Sequence, residues 1–177
     1  RCVAWGELGL DRHYDNPPLE MQKKLLEEHI AIIESQKGDT RPIIVHCRQA
    51  VDDLLPVFSQ STLAQDRFVF HCFTETPDDA KKILDFGAMI SFTGVVTFPN
   101  APQVAEAAKL VPDDRIMVET DAPYLSPEPV RKIRPNEPKF VVHTAAFLAK
   151  LRGIESDAFE TMLDQNARSF FNLNKIS

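Results

Sequence analysis

Five apolar runs in this chain each end in residues able to bind a metal ion or a phosphate. Residues 2–6 run into Glu7, 42–45 into His46, 68–70 into His71, 88–92 into Thr93 and Gly94, and 115–118 into Glu119, Thr120 and Asp121. Glu7, His46, His71 and Asp121 supply two imidazoles and two carboxylates, a set suited to Zn, Mn or Mg. A histidine after one apolar run is ordinarily a hydrogen-bonded structural residue. Four such residues repeated at strand ends describe one mouth of a parallel barrel, where enzymes of that architecture build their sites.

Alternation along a strand sorts the neighbours. If His46 faces the mouth, Cys47 faces away and Arg48 faces back in, placed to hold a phosphate through its guanidinium fork. On the same logic His71 faces in and Cys72 faces the covering helices, so the two His-Cys pairs read as ligand plus packing residue. Glu119 shares the phase of Asp121 but lies deeper, where it reads as support beneath the site; the pattern alone does not remove it as a ligand. His29 and His143 fall on helices and are not ligands. His13, in the loop after Glu7, could reach the mouth. Arg131, Lys132 and Arg134 form a short basic cluster that is either solvated surface or a phosphate grip.

The elements that must position these residues alternate. Helices are predicted at about 19–35, 51–59, 77–86, 102–110, 139–151, 156–164 and 166–172, between strands at 2–7, 42–46, 68–71, 88–92 and 115–119. Residues 9–18 read as a polar loop. Thr76, Pro77, Asp78 and Asp79 form a helix start and Gly87 a stop. Ser156 is a candidate cap, and Pro56 is expected to bend or break its helix. Strand-helix units of this length imply α/β architecture with parallel strands and right-handed crossovers. The proline-rich stretch from Ala122 to Pro138 reads as a site loop within one domain, residues 1–177.

The bulk numbers remove some function classes. A chain of 177 residues with formal net charge −6 carries no basic field to hold DNA non-specifically, so a nucleic-acid substrate must be gripped locally. Three widely spaced cysteines without a CxxC argue against a disulfide framework and fit a reducing, cytoplasmic setting. No run is long enough for a membrane span or a signal peptide, so no membrane partner is expected. The chain begins at Arg1 directly in a strand, and upstream sequence is expected.

The segments Gly6-Glu7-Leu8-Gly9-Leu10-Asp11, Ile44-Val45-His46-Cys47-Arg48, His71-Cys72-Phe73-Thr74, Ser91-Phe92-Thr93-Gly94 and Glu119-Thr120-Asp121-Ala122-Pro123-Tyr124 occur in this order. Asn136-Glu137-Pro138 and Asn166-Ala167 follow. Together they closely resemble the TatD family of metal-dependent deoxyribonucleases, which are amidohydrolase-like TIM barrels. The resemblance implies hydrolysis of DNA phosphodiester bonds, typically from single-stranded 3′ ends, at a site of two divalent ions (Mg, Mn or Zn). Glu7 matches the bridging glutamate, His46 and His71 the two single histidines, and Asp121 both a ligand and the acceptor of water's proton. Glu7 and Asp121 would thus be catalytic, while Arg48, Arg131 and Asn136 would hold substrate phosphates.

The chain also departs from that family. The His-x-His pair that opens the family is absent, and the five strands match its fourth to eighth, giving about five units of a (β/α)8 barrel. Glu75 stands where the family usually has glycine, and Pro135 looks inserted. A part-barrel leaves open strand edges, so pairing with another chain is an expected hazard and the oligomeric state stays open. Two other readings compete. One is a different amidohydrolase-like hydrolysis, whose relatives usually bridge their metals with lysine where this chain has Glu7. The other is a truncated, non-catalytic fragment that binds nucleic acid or a partner.

Overall fold

In a computed structural model, residues 2–173 are described. Five parallel strands stand in chain order, β1 (Trp5–Asp11), β2 (Ile43–Arg48), β3 (Phe68–Phe70), β4 (Met89–Phe92) and β5 (Ile116–Val118), with β1 and β5 at the two edges. Each successive pair is joined through a helix: α1 (Leu19–Ser35), α2 (Val51–Gln60), α3 (Pro77–Phe86) and α4 (Pro102–Leu110). Two further helices, α5 (Val141–Arg152) and α6 (Ser156–Phe170), close the described chain. The α/β expectation and all five strands are present. Among the described residues no helix is long and apolar enough to cross a membrane.

Alternation separates the two faces of the sheet. Leu8, Leu10, Ile43, Val45, Cys47, Phe68, Phe70, Ile90, Phe92 and Ile116 pack under the helices in one large core. Phe58 of α2 reaches into it, its ring 4.6 Å from Phe68, and truncating such a side chain costs about 3–5 kcal/mol. The other face is layered. Val69, Met89 and Met117 form its apolar floor, with Ile44, Phe170 and Phe171 packed against it. The polar residues lie further along the same strands, on the same face.

Several local expectations hold and several change. Thr76 and Asp79 form a reciprocal capping box at the start of α3, with Pro77 in its first turn. Pro56 does not break α2, which runs on to Gln60. The two closing helices expected at 156–164 and 166–172 are one continuous α6, and Ser156 is its first residue and makes no cap hydrogen bond. Residues 9–11, expected in a loop, belong to β1, which stays paired with β2 through Asp11↔Arg48.

Candidate metal centre

Glu7 is placed by an irregularity in β1. Trp5 pairs with Ile43, but the next pairing is Leu8 with Val45, so three steps on β1 oppose two on β2. The extra residue is a bulge, which changes the side-chain phase. Trp5, Leu8 and Leu10 consequently pack on the helical core, while Glu7 and Asp11 turn to the opposite face and meet His46. Glu7 therefore sits inside a strand, not at its end as the sequence suggests. His46 lies in β2, and His71 follows β3 directly, its N–H donating to Val45 O at 3.0 Å.

Three donor atoms converge. Glu7 Oε1 lies 2.7 Å from His46 Nδ1 and 2.8 Å from His71 Nε2, and the two ring nitrogens are 3.4 Å apart. An ion bonding at about 2.1 Å separates neighbouring ligands by about 3.0–3.4 Å. The outer nitrogens face carboxylates as well: His46 Nε2 is 3.2 Å from Asp11 Oδ2, and His71 Nδ1 is 3.5 Å from Glu119 Oε1. If the outer nitrogens carry their protons toward Asp11 and Glu119, the inner lone pairs and the Glu7 oxygen all point at one place. Three acceptors facing one another repel unless a cation lies among them. The donor set thus fits a divalent ion held by Glu7, His46 and His71, with Asp11 and Glu119 orienting the rings from behind.

In the metal-free chain, protons take the place of the ion between the rings and Glu7. Hydrogen bonds from His46 and His71 hold the Glu7 carboxyl well below the usual carboxylate range. The Glu7 contact raises His46 against the opposing effect of burial. Burial alone would lower His71, but hydrogen bonds to Glu119 and Glu7 outweigh it and push the ring up to about 10. Burial pushes the thiols of Cys47 and Cys72 up to about 12, so neither offers a thiolate.

The triad lies in a cleft of about 790 Å³ whose lining includes Arg48, Cys72, Glu75, Tyr124 and Asp121. Asp121 shares this cleft but stands apart from the three-residue cluster. Arg48 also lines it, its guanidinium 5.5 Å from the Tyr14 ring centroid. Glu119 supports His71 and also accepts the Cys72 N–H.

One expectation is corrected at Cys72, and two residues expected to hold phosphate have contacts of their own. Cys72 does not face the helices: the backbone turns to φ 45° there, ending the alternation, and its Sγ lies 3.3 Å from Thr93 Oγ1 at the cleft. Asn136, expected to hold phosphate, is buried under the loop, where its amide nitrogen donates to Tyr124 O and its backbone N–H to Pro123 O. Arg131 lies outside the cleft lining. Its guanidinium stacks 3.9 Å over Phe98 and is 3.4 Å from Asn100 Oδ1. His13 is exposed and packs edge-on against Tyr14 at 4.7 Å, while His143 packs against Phe140.

The sequence reading missed Asp11. A strand that reaches Asp11 was signalled by apolar Leu8 and Leu10 at period two. The bulge was signalled by Gly6 within a strand, since an interior strand glycine often marks one.

Comparison with known proteins identifies the family. The family described as "TatD related DNase" matches residues 1–172. A protein of Buchnera aphidicola named "Uncharacterized metal-dependent hydrolase" is 38% identical over 173 residues, 98% of this chain and 64% of its own length. The metal-dependent hydrolase YcfH of Escherichia coli K12 is 38% identical over 97% of this chain and 63% of its own. The chain thus spans somewhat under two thirds of these relatives. Among solved structures, the TatD homologue YJJV of E. coli superposes with TM-score 0.87 at 29% identity, over 96% of this chain and 64% of that one. A TatD family hydrolase of Entamoeba histolytica shares the fold with TM-score 0.81 at 24% identity. With the family matched over nearly its whole length and a fitting donor set in its cleft, the chain belongs to the TatD family of metal-dependent hydrolases.

Proposed function

We propose that this chain carries the larger part of a metal-dependent deoxyribonuclease that hydrolyses DNA phosphodiester bonds and removes nucleotides from 3′ ends. On this reading its five strands are five units of a (β/α)8 barrel. The observation that carries the reading is the convergence of Glu7, His46 and His71 in the cleft that Asp121 also lines. The resemblance of that set to the TatD deoxyribonucleases, and the family's description as DNase, supply the substrate class.

Divalent ions bound there would draw in the phosphodiester and ready a water for attack at neutral pH. Glu7, His46 and His71 would hold one ion, and by resemblance to the family Glu7 would also serve a second. Asp121 would accept the attacking water's proton, a role that needs a carboxylate within hydrogen-bond reach of that water. Arg48 holds a phosphate oxygen on the rim. Asp11 and Glu119 keep the imidazoles aligned while charge changes around them.

Release of nucleotide from 3′-labelled single-stranded DNA in Mg²⁺ or Mn²⁺, compared with Asp121→Asn and with EDTA, tests this reading. Release that requires both metal and Asp121 is expected. A folded chain that binds metal but releases no nucleotide, with or without Asp121, would remove the nuclease assignment for this chain.

A further inference from the structure

The chain has two tyrosines, and both stand exposed on the cleft: Tyr14 at 62% and Tyr124 at 69%. Among the large apolar side chains found exposed in the described residues, these two are the ones that line it. They come from loops far apart in sequence, one after β1 and one after β5. An aromatic ring left in water beside a polar site has given up its burial energy, and a pair of them at one mouth is a contact surface for something flat and apolar.

Both rings are presented on fixed supports. The Arg48 guanidinium lies 5.5 Å from the Tyr14 centroid, and the His13 ring meets the Tyr14 ring edge-on at 4.7 Å. The Tyr124 backbone is pinned from both sides, its N–H donating to Asp121 O at 2.7 Å and its carbonyl accepting from the buried Asn136 amide. The unexpected burial of Asn136 thus gains a purpose, since it locks Tyr124 beside Asp121. An anchored backbone at Tyr124 and ring neighbours at Tyr14 leave less to order when a ligand lands there.

Side-chain charge supplies little of the grip on a nucleic acid beyond the metal centre. The chain carries net charge −6, and Arg48 stands among Glu7, Glu75 and Asp121 in the cleft lining. A phosphate backbone held mainly by cations needs many more of them. Stacking needs none, is tolerant of sequence, and requires bases already released from a duplex.

We propose that Tyr14 and Tyr124 form a stacking clamp for nucleobases on the two sides of the metal centre. They grip the terminal bases of a single strand so that the phosphodiester between them falls over Glu7, His46 and His71. The proposal rests on the nuclease reading and specifies its substrate as a single-stranded end recognised through base faces, without sequence readout.

The test is fluorescence anisotropy with a 5′-labelled decathymidylate and a ten-unit abasic backbone bearing the same label. Ca²⁺ is present, and each probe is titrated with the chain and with Tyr14→Ala, Tyr124→Ala and both Tyr→Phe variants. Because both side chains are exposed, the variants should fold, as circular dichroism will check. Each alanine variant is expected to raise Kd for decathymidylate roughly 5- to 100-fold. Each phenylalanine variant should stay within about twofold, because the face of the ring is kept. The abasic strand should bind weakly and equally to all five proteins. Equal binding of both probes by the unaltered chain, or alanine variants that bind decathymidylate normally, would overturn the clamp while leaving a backbone-directed nuclease standing. Binding of neither strand would overturn the clamp together with the nucleic-acid reading beneath it.

Discussion

Glu119 stands behind His71: its Oε1 lies 3.5 Å from Nδ1, on the far side of the ring from the Glu7 oxygen 2.8 Å from Nε2. A carboxylate there fixes which nitrogen keeps its proton and raises the basicity of the other. Glu119→Gln keeps an acceptor for the Cys72 N–H but loses the charge. It should weaken Mn²⁺ or Zn²⁺ binding about 10- to 100-fold and, by removing the strongest contact that holds His71 charged, lower the melting temperature of the metal-free chain at neutral pH. Isothermal titration calorimetry measures the first and calorimetric melting the second. Unchanged affinity would reduce Glu119 to a backbone anchor.

The same contacts set opposite pH slopes for the metal-free and metal-bound chain. The pKa of His71 rises from 6.5 to about 10 on folding, so its contribution to stability is full below 6.5 and fades as pH climbs through 10. Glu7 is depressed from 4.5, so its contribution is present above 4.5 and is lost as pH falls toward the folded value. In EDTA, urea midpoints should therefore decline from pH 6 to pH 10. Metal binding requires unprotonated rings, so divalent affinity should rise over that range, with proton uptake by the buffer. A midpoint that climbs with pH in EDTA would show that the imidazoles are not held charged by these carboxylates.

Two glycines make close approaches with different consequences. A Cβ on Gly9 would meet His46 O at 1.8 Å, forcing β1 away from the strand that carries His46. A Cβ on Gly94 would meet Leu125 O at 2.3 Å and Pro127 N at 2.8 Å, lifting the site loop from β4. Each alanine substitution should cost about 1–3 kcal/mol by overpacking. Gly9→Ala should also weaken metal binding, whereas Gly94→Ala should spare it and disturb only groups carried by the loop. Melting temperatures and metal titrations of the two variants separate these effects.

The fold was largely legible because alternation is a strong signal when one face packs under helices. Leu8 and Leu10, Val45 and Cys47, and Phe68 and Phe70 all obey it. Where the reading erred, the local backbone departs from regular geometry. The bulge before Leu8 shifts the phase of β1, and the left-handed turn at Cys72 returns its thiol to the cleft. The convergence of Glu7, His46 and His71 was legible from strand position, while Asp121, also expected as a ligand, stands apart from them. Glu119 was read as support beneath the site, but its partner ring and the role of Asp11 depend on which ring nitrogen faces inward, a matter of rotamers that sequence does not carry. Asn136 was expected to hold phosphate, and its amide nitrogen donates to the Tyr124 carbonyl, a contact an amide makes as readily. Arg131, expected to hold phosphate as well, stacks over Phe98 outside the cleft lining.

At the opposite end of β5, Asn166 of α6 donates from Nδ2 to Asp113 O at 2.7 Å and to Ile116 O at 2.9 Å. The amide ties the last helix to the start of the strand whose far end leads to Asp121. Asn166→Ala leaves two carbonyls without that donor and should cost about 1–3 kcal/mol. Because the contact is remote from the triad, Mn²⁺ affinity should be unaffected at temperatures where the variant is folded. Loss of metal binding in a fully folded variant would reveal a coupling that these contacts do not explain.

The central claim is that Glu7, His46 and His71 together hold a divalent ion on which hydrolysis depends. Mn²⁺ titration of the EDTA-stripped chain, followed by electron paramagnetic resonance alongside nucleotide release from single-stranded DNA, tests it most directly. The account predicts an ion bound by the unaltered chain, lost in both His46→Ala and His71→Ala, with release tracking occupancy. Binding that survives both substitutions, or release that persists when no ion is bound, would contradict it.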